Sequence, residues 1–154
     1  MTRSVKALLA VVPFTFLLGA PALLSCCGKE AGRLSFSSPG TNTSSLALKA
    51  GEVAFWTDLN VHYEGDPPLV YQVELAQGGQ TVASAFCDPL VHREIDLGWL
   101  SLYNGASHSE RGRGKMRCTA KLPASGPTTV QATLLVDPPG TAVTLTKADL
   151  VIKQ

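Results

Sequence analysis

A period of two in the side-chain pattern is the feature that most restricts the fold of this 154-residue chain. Mainly apolar side chains alternate with mainly polar ones along four segments, residues 53–60, 69–75, 115–122 and 129–136. Alternation of this kind predicts β-strands that bury one face and expose the other. We therefore expect an all-β protein.

Turn-forming residues separate these segments, as a chain of short strands requires. With 14 Gly and 10 Pro, few stretches of the chain could support a long helix. Gly78-Gly79 predicts a tight hairpin between residues 69–76 and 81–87. We count about eight strands and predict that residues 46–154 form one antiparallel β-sandwich, of jelly-roll or immunoglobulin-like type.

The first 25 residues have the layout of an export signal. Arg3 and Lys6 precede an uncharged apolar run, residues 7–24, which Pro13 and Pro21 interrupt. A permanent membrane span needs about 20 uninterrupted apolar residues, so these features favour a cleaved signal peptide. The alternative is an N-terminal anchor that is not cleaved.

The junction Leu23-Leu24-Ser25-Cys26 resembles the lipobox of bacterial lipoproteins. That pattern has Leu three residues before a cysteine and a small residue directly before it; Leu24 departs from the Ala, Ser, Val or Thr commoner at its position. The resemblance implies that Cys26 carries a diacylglyceryl group and becomes the first residue of a mature chain anchored in the bacterial cell envelope. Cys27 is not the Asp that often retains family members at the inner membrane, so the resemblance favours the outer membrane.

Residues 26–45 are rich in Gly, Ser, Thr and Pro. This composition predicts a lipidated, flexible tether between the anchor and the sandwich. A short edge strand at residues 34–36 is compatible with it.

Cys87 and Cys118 both fall on predicted strands. Export would place them in an oxidising compartment, where a cysteine pair in a small domain usually forms a disulfide. We predict a Cys87–Cys118 bond; the alternative is two separate buried thiols.

Charge and motifs exclude several classes of function. The formal net charge is +1, which argues against a nucleic-acid partner and against membrane binding through an overall cationic excess. Motifs of nucleophilic hydrolases, zinc proteases, phosphate loops and dinucleotide sites are missing from the sequence. We therefore expect no catalytic residue, no cofactor and no enzymatic activity.

Each of the three histidines is followed two residues later by a glutamate: His62 and Glu64, His92 and Glu94, His108 and Glu110. On a strand this spacing places both side chains on one face, where imidazole and carboxylate could share a metal ion. The alternative is solvated surface pairs in loops; we favour it and expect no metal site.

Two features are candidate ligand contacts. The basic row Arg111, Arg113, Lys115 and Arg117 occupies alternate positions, so it could contact an anionic glycan, a lipid headgroup or an acidic partner. Alternatively, it keeps an outer strand soluble and pairs with acids on a neighbouring strand. Trp56 lies on the polar face of its strand and is the aromatic residue most expected to be exposed.

These observations predict a lipid-anchored envelope protein with a monomeric β-sandwich that binds or scaffolds a partner and catalyses nothing. A glycan-binding jelly roll and a structural subunit of an envelope or secretion assembly are the alternatives. A shallow groove with an exposed Trp56 or tyrosine would favour a glycan. A flat apolar patch would favour a protein partner.

Overall fold

The structure, a computed structural model, describes residues 28–154. Nine β-strands and no helix occur in this part of the chain, which confirms the predicted all-β sandwich. Accordingly, none of the described residues belongs to a helix long and apolar enough to span a bilayer. The predicted signal peptide, Cys26 and Cys27 lie outside the described residues. The strands are β1 Glu30–Phe36, β2 Gly40–Leu48, β3 Gly51–Glu64, β4 Leu69–Gln77, β5 Gln80–Cys87, β6 Arg93–Asn104, β7 Ser107–Leu122, β8 Gly126–Val136 and β9 Val143–Lys153.

The strands form two antiparallel sheets of unequal width. The wider sheet has the order β1-β9-β3-β7-β6, and the narrower one has the order β2-β8-β4-β5. Strands β1 and β2 belong to different sheets, whereas the first two strands of an immunoglobulin domain share one. The pairings β1·β9, β2·β8, β3·β7 and β4·β5 are those of a jelly roll, to which β6 adds an edge strand.

The prediction of a flexible tether at residues 26–45 is wrong from residue 30 onward, because β1 and most of β2 occupy that segment. Both strands lie at sheet edges, so each has only a few buried side chains, Leu34 and Phe36 in β1 and Leu48 in β2. The many Ser and Thr residues of β2 remain exposed at the edge, which hides the alternation in the sequence. The edge strand expected at residues 34–36 is confirmed as part of β1.

The core lies between the two sheets and is built from the inward rows of the central strands. In β3 the inward side chains alternate with outward ones from Val53 to Tyr63. Those of β4 and β8 do the same across the sandwich. The buried rows include Val53, Phe55, Leu59, Leu69, Tyr71, Val73, Leu75, Val130, Ala132, Leu134, Leu150 and Ile152.

Two local predictions are confirmed. Gly78 and Gly79 form the turn between β4 and β5, both with positive φ, as a tight hairpin of this type requires. Cys87 and Cys118 form a disulfide between β5 of the narrow sheet and β7 of the wide one. The bond closes a sequence separation of 31 residues, and it links the sheets beside β6.

Candidate functional site

Strand β6 extends past the edge of the narrow sheet. The strand opposite β7 is β5, the last strand of its sheet, and β6 lies one position further out. As a result β6 is the one strand among residues 28–154 in which no residue is buried. Its attachment to the domain depends on β7 and on contacts made by its own side chains.

Glu110 provides the main polar contact between β6 and β7. This side chain is only 5% exposed and accepts hydrogen bonds from Trp99 Nε1 at 2.5 Å and Ser101 Oγ at 2.5 Å. Tyr103 OH donates a third at 3.2 Å. Donors from three alternate positions of β6 thus converge on one carboxylate, which compensates its burial.

Close backbone approach supports the same junction. Gly112 has a φ of +149°, and a Cβ at this position would lie 2.6 Å from Cα of Trp99. The absence of a side chain at Gly112 therefore lets the Trp99 segment lie against β7. The Arg93 guanidinium lies over the Trp99 ring, 3.7 Å from its centroid.

An aromatic group continues this junction toward the start of β7. His108 stacks on Tyr63 with centroids 5.1 Å apart, and Tyr103 meets it edge-on at 4.9 Å. Burial raises the pKa of Tyr63 to about 12, and the negative charge of Glu110 adds to the effect. The tyrosine is therefore neutral at physiological pH and contributes packing.

The outer face of β6 carries an exposed apolar patch, here named the leucine patch and defined as Leu97, Leu100 and Leu102. These side chains are 50%, 36% and 58% exposed. They lie in register with outward residues of β7, Leu100 with Arg111 and Leu102 with Ser109. Leu100 and Leu102, together with Asn60, line a shallow cavity of about 260 Å³.

The outer edge of β6 is unpaired in the described part of the chain, because β6 forms a ladder with β7 alone. An antiparallel strand uses only half of its backbone groups toward one neighbour, so the remaining N–H and C=O groups face outward. In other proteins, exposed sheet edges bind extended peptide segments by adding a strand.

The basic row is largely paired with acids on neighbouring strands. Arg113 lies 3.0 Å from Asp58 of β3, and Lys115 lies 2.7 Å from Glu94 of β6. Arg117 donates to the carbonyl of Arg93 at 3.2 Å. This is the pairing expected if the row keeps an outer strand soluble. Arg111, beside the leucine patch, is exposed and forms no ion pair with the residues described.

The expectation that Trp56 is exposed is wrong. It does lie on the outward face of β3, but it is only 1% exposed. The Lys153 ammonium lies 3.9 Å from its ring centroid, and Val151 and Lys115 are its register neighbours on β9 and β7. In the middle of a five-stranded sheet, long side chains from both neighbours cover the indole ring. The most exposed tyrosine or tryptophan in the described residues is Tyr103, at 64%.

An ion-pair network crosses the outer face of the wide sheet around Asp58. This carboxylate accepts from Lys147 at 2.7 Å and from Arg113 at 3.0 Å, with Arg33 3.6 Å away. Arg33 also contacts Asp149 at 2.7 Å. Burial disfavours the charged form of Asp58, yet the hydrogen bonds from Lys147 and Arg113 outweigh it and hold the pKa of Asp58 below its ordinary value.

The three His-x-Glu pairs have separate surroundings. His62 bonds to Ser109 Oγ at 2.9 Å, and His92 lies 3.8 Å from Asp88. His108 and Glu110 share the inward face of β7, as the spacing predicts, but Glu110 is occupied by donors from β6. Within residues 28–154 no cluster of three or more His, Cys, Asp or Glu side chains could hold a metal ion.

Comparison with known proteins gives no relative for this chain. No protein-family model, no curated protein and no solved structure matches it.

We predict that Glu110→Ala releases β6 from the domain, because Trp99, Ser101 and Tyr103 lose their common acceptor. The free energy of unfolding should fall by about 2–3 kcal/mol, with faster amide hydrogen exchange concentrated in β6. Glu64→Ala, which removes an exposed glutamate near the end of β3, should change both quantities little. Equal effects of the two substitutions would contradict the role of Glu110.

We also predict a pH signature for Asp58. Its folded-state pKa is lowered, so its charge stabilises the fold fully above the unfolded pKa of about 3.9 and is lost as the pH falls through the folded pKa. Asp58→Asn should therefore cost about 1–2 kcal/mol at neutral pH, and the difference from the wild type should shrink as the pH falls through the lowered folded-state pKa of Asp58.

Urea unfolding across this pH range measures the effect. Asp66→Asn is the control, since Asp66 is exposed and forms no ion pair with the described residues. A difference between Asp58→Asn and the wild type that stays constant down to the lowest pH would show that the charge of Asp58 is not what stabilises the network.

Proposed function

We propose that this chain is a lipid-anchored protein of the bacterial cell envelope, and that its β-sandwich binds a protein partner without catalysis. The observation that carries the binding part is the leucine patch beside the unpaired edge of β6. Its three side chains are at least one-third exposed, and they lie on a strand that the rest of the domain leaves uncovered.

The lipobox at residues 23–26 supports the anchor. A single acyl chain holds a protein only reversibly, whereas two or more hold it stably. A diacylglyceryl group on Cys26 would therefore be sufficient, and only Cys27 would separate Cys26 from the first described residue, Gly28.

The position of the leucine patch suits a partner that lies away from the bilayer. Asn60, beside the patch, is nine residues along β3 from Gly51, which is roughly 30 Å at about 3.3 Å per residue. Gly51 lies at the end of the sandwich where Gly28 enters, since Gly28 contacts Gln154 and Gln154 bonds to Lys49. The patch would thus stand well above the membrane surface.

A protein partner is favoured over a glycan by the character of the surface. Glycan platforms need exposed aromatic rings. Trp56 is covered, and the exposed Tyr103 lies on the inner row of β6, where it bonds to Glu110. The cavity beside the patch is lined by Leu100, Leu102 and polar side chains, with no aromatic ring. The exposed Arg111 at its border would pair with an acidic side chain of the partner.

For the anchor, we predict that Cys26→Ser abolishes metabolic labelling with radioactive palmitate and leaves an uncleaved or mislocalised precursor. Only Cys26 follows both the apolar run and a small residue, so Cys27→Ser should change neither labelling nor fractionation. Equal labelling of the wild type and Cys26→Ser would refute the anchor. Loss of labelling in Cys27→Ser alone would mean that Cys27 is the acylated residue.

For binding, we predict that Leu100→Lys with Leu102→Lys abolishes capture of a specific envelope protein from detergent-solubilised envelopes. Truncating central contact residues typically weakens binding by about 30-fold or more. Leu135→Lys is the matched control, because Leu135 is 40% exposed on the other sheet. It should retain the partner.

The binding proposal fails if the leucine variant and the control capture the same proteins. Release of the captured material by a soluble envelope polysaccharide, with no protein retained, would support the glycan alternative instead.

A further inference from the structure

One end of the sandwich concentrates exposed lysines. Lys29 bonds through its backbone to Gln154, and the backbone of Lys49 bonds to the Gln154 side chain. Lys121 lies one register position from the Gly51·Leu122 pair at the same end. We name Lys29, Lys49 and Lys121 the lysine end; all three are exposed.

These lysines are not neutralised by side chains of the described domain. No ion pair within residues 28–154 includes any of them. Of the two nearby carboxylates, Glu30 is bound by Arg33 at 3.0 Å, which leaves Glu52 in register with Lys121. Lys153 adds a fourth ammonium beside Trp56. The side chains at this end therefore carry a net positive charge.

The opposite end of the sandwich has the reverse sign. Its exposed charged side chains are Glu64 and Asp66, which flank the turn after β3, and Asp137, which follows β8. The 14 residues of β3 separate the two ends by roughly 45 Å. This distance exceeds the Debye length of about 8–10 Å several-fold, so each end presents its own field to its surroundings.

The lysine end is also the end at which the chain enters the domain. Gly28 packs against Gln154 there, and only Cys27 intervenes between Gly28 and Cys26. Two residues of extended chain span at most about 7 Å. An acyl group on Cys26 would therefore hold the lysine end within contact distance of the headgroups.

We propose that the lysine end binds the anionic surface of the bilayer and so orients the domain on its anchor. This inference rests on the proposed lipid anchor. Lysines attract anionic headgroups in the first Debye length, whereas the carboxylates of the far end are repelled. The domain then stands upright, with its acidic end and the leucine patch directed away from the membrane.

A photoreactive amino acid at Ala124 tests the orientation. Ala124 is exposed in the turn between β7 and β8 at the lysine end, and Asp66 provides the matching site at the far end. The acylated full chain is reconstituted in vesicles of phosphatidylcholine alone, or of equal parts phosphatidylcholine and phosphatidylglycerol. Crosslinking to lipid is then measured at both sites.

We expect crosslinking at Ala124 to rise in the anionic vesicles and to return to the neutral-vesicle level at high salt. Asp66 should crosslink little in either. Lys29→Glu with Lys49→Glu and Lys121→Glu should remove the rise, since each lysine contributes about fivefold to the upright population. Lys49→Gln alone should reduce the rise, whereas Thr144→Glu, which changes the net charge equally at an exposed position of β9 toward the far end, should not.

The outcomes separate this proposal from the anchor on which it rests. Mass spectrometry that finds no acyl group on the purified chain refutes the anchor. An acylated chain that crosslinks at Ala124 equally in neutral and anionic vesicles refutes the orientation alone. Equal losses in Lys49→Gln and Thr144→Glu would do the same, because they would show a response to net charge without a preferred face.

Discussion

The unequal width of the two sheets determines most of what distinguishes this domain. Four strands on one side can cover only four on the other, so the inner face of β6 has no sheet opposite it. The core ends at the disulfide between β5 and β7. Beyond that point Trp99 is the β6 side chain that packs against the core, and a polar interaction has to complete the attachment of β6. The carboxylate of Glu110 supplies it through three hydrogen bonds.

The same mismatch explains the chemistry of the β6 surface. A strand in the core must be apolar on its inner row, but the inner row of β6 carries Trp99, Ser101 and Tyr103, each with a polar atom to donate. Its apolar residues lie on the outer row instead. In β6 the usual order of faces is reversed, with the polar groups facing the domain and the leucines facing solvent.

The central strands could be predicted from the sequence because their alternation follows directly from a two-sided environment. Val53 to Tyr63 and Leu69 to Leu75 bury every second side chain, and both segments were recognisable. In edge strands the alternation of apolar and polar residues is weaker, since only one or two of their residues need to be apolar. The Thr- and Ser-rich β2 therefore has the composition of a linker, although it pairs along its full length with β8.

The candidate site was harder to predict than the fold, because it depends on neighbours far apart in the chain. The His108-x-Glu110 spacing correctly placed both residues on one face, but not which face, and the donors come from another strand. For Trp56 the face of the strand was predicted correctly, but the burial of the side chain was not. Its outward position was predictable, while its cover by Lys153 follows from the pairing of β3 with β9, which no local pattern contains.

An exposed edge strand is a hazard in a folded protein, and the form of β6 limits that hazard. Its ladder with β7 is irregular between Arg93 and Ile95 and again between Leu97 and Leu100, and such irregularities discourage pairing with arbitrary strands. The regular part is Leu100 to Asn104. A partner that adds a strand here would therefore pair with only about five residues, too few for stable association through the backbone alone. Specificity would then have to come from side chains, and Leu100, Leu102 and Arg111 are the ones that this stretch of the sheet presents to the same face.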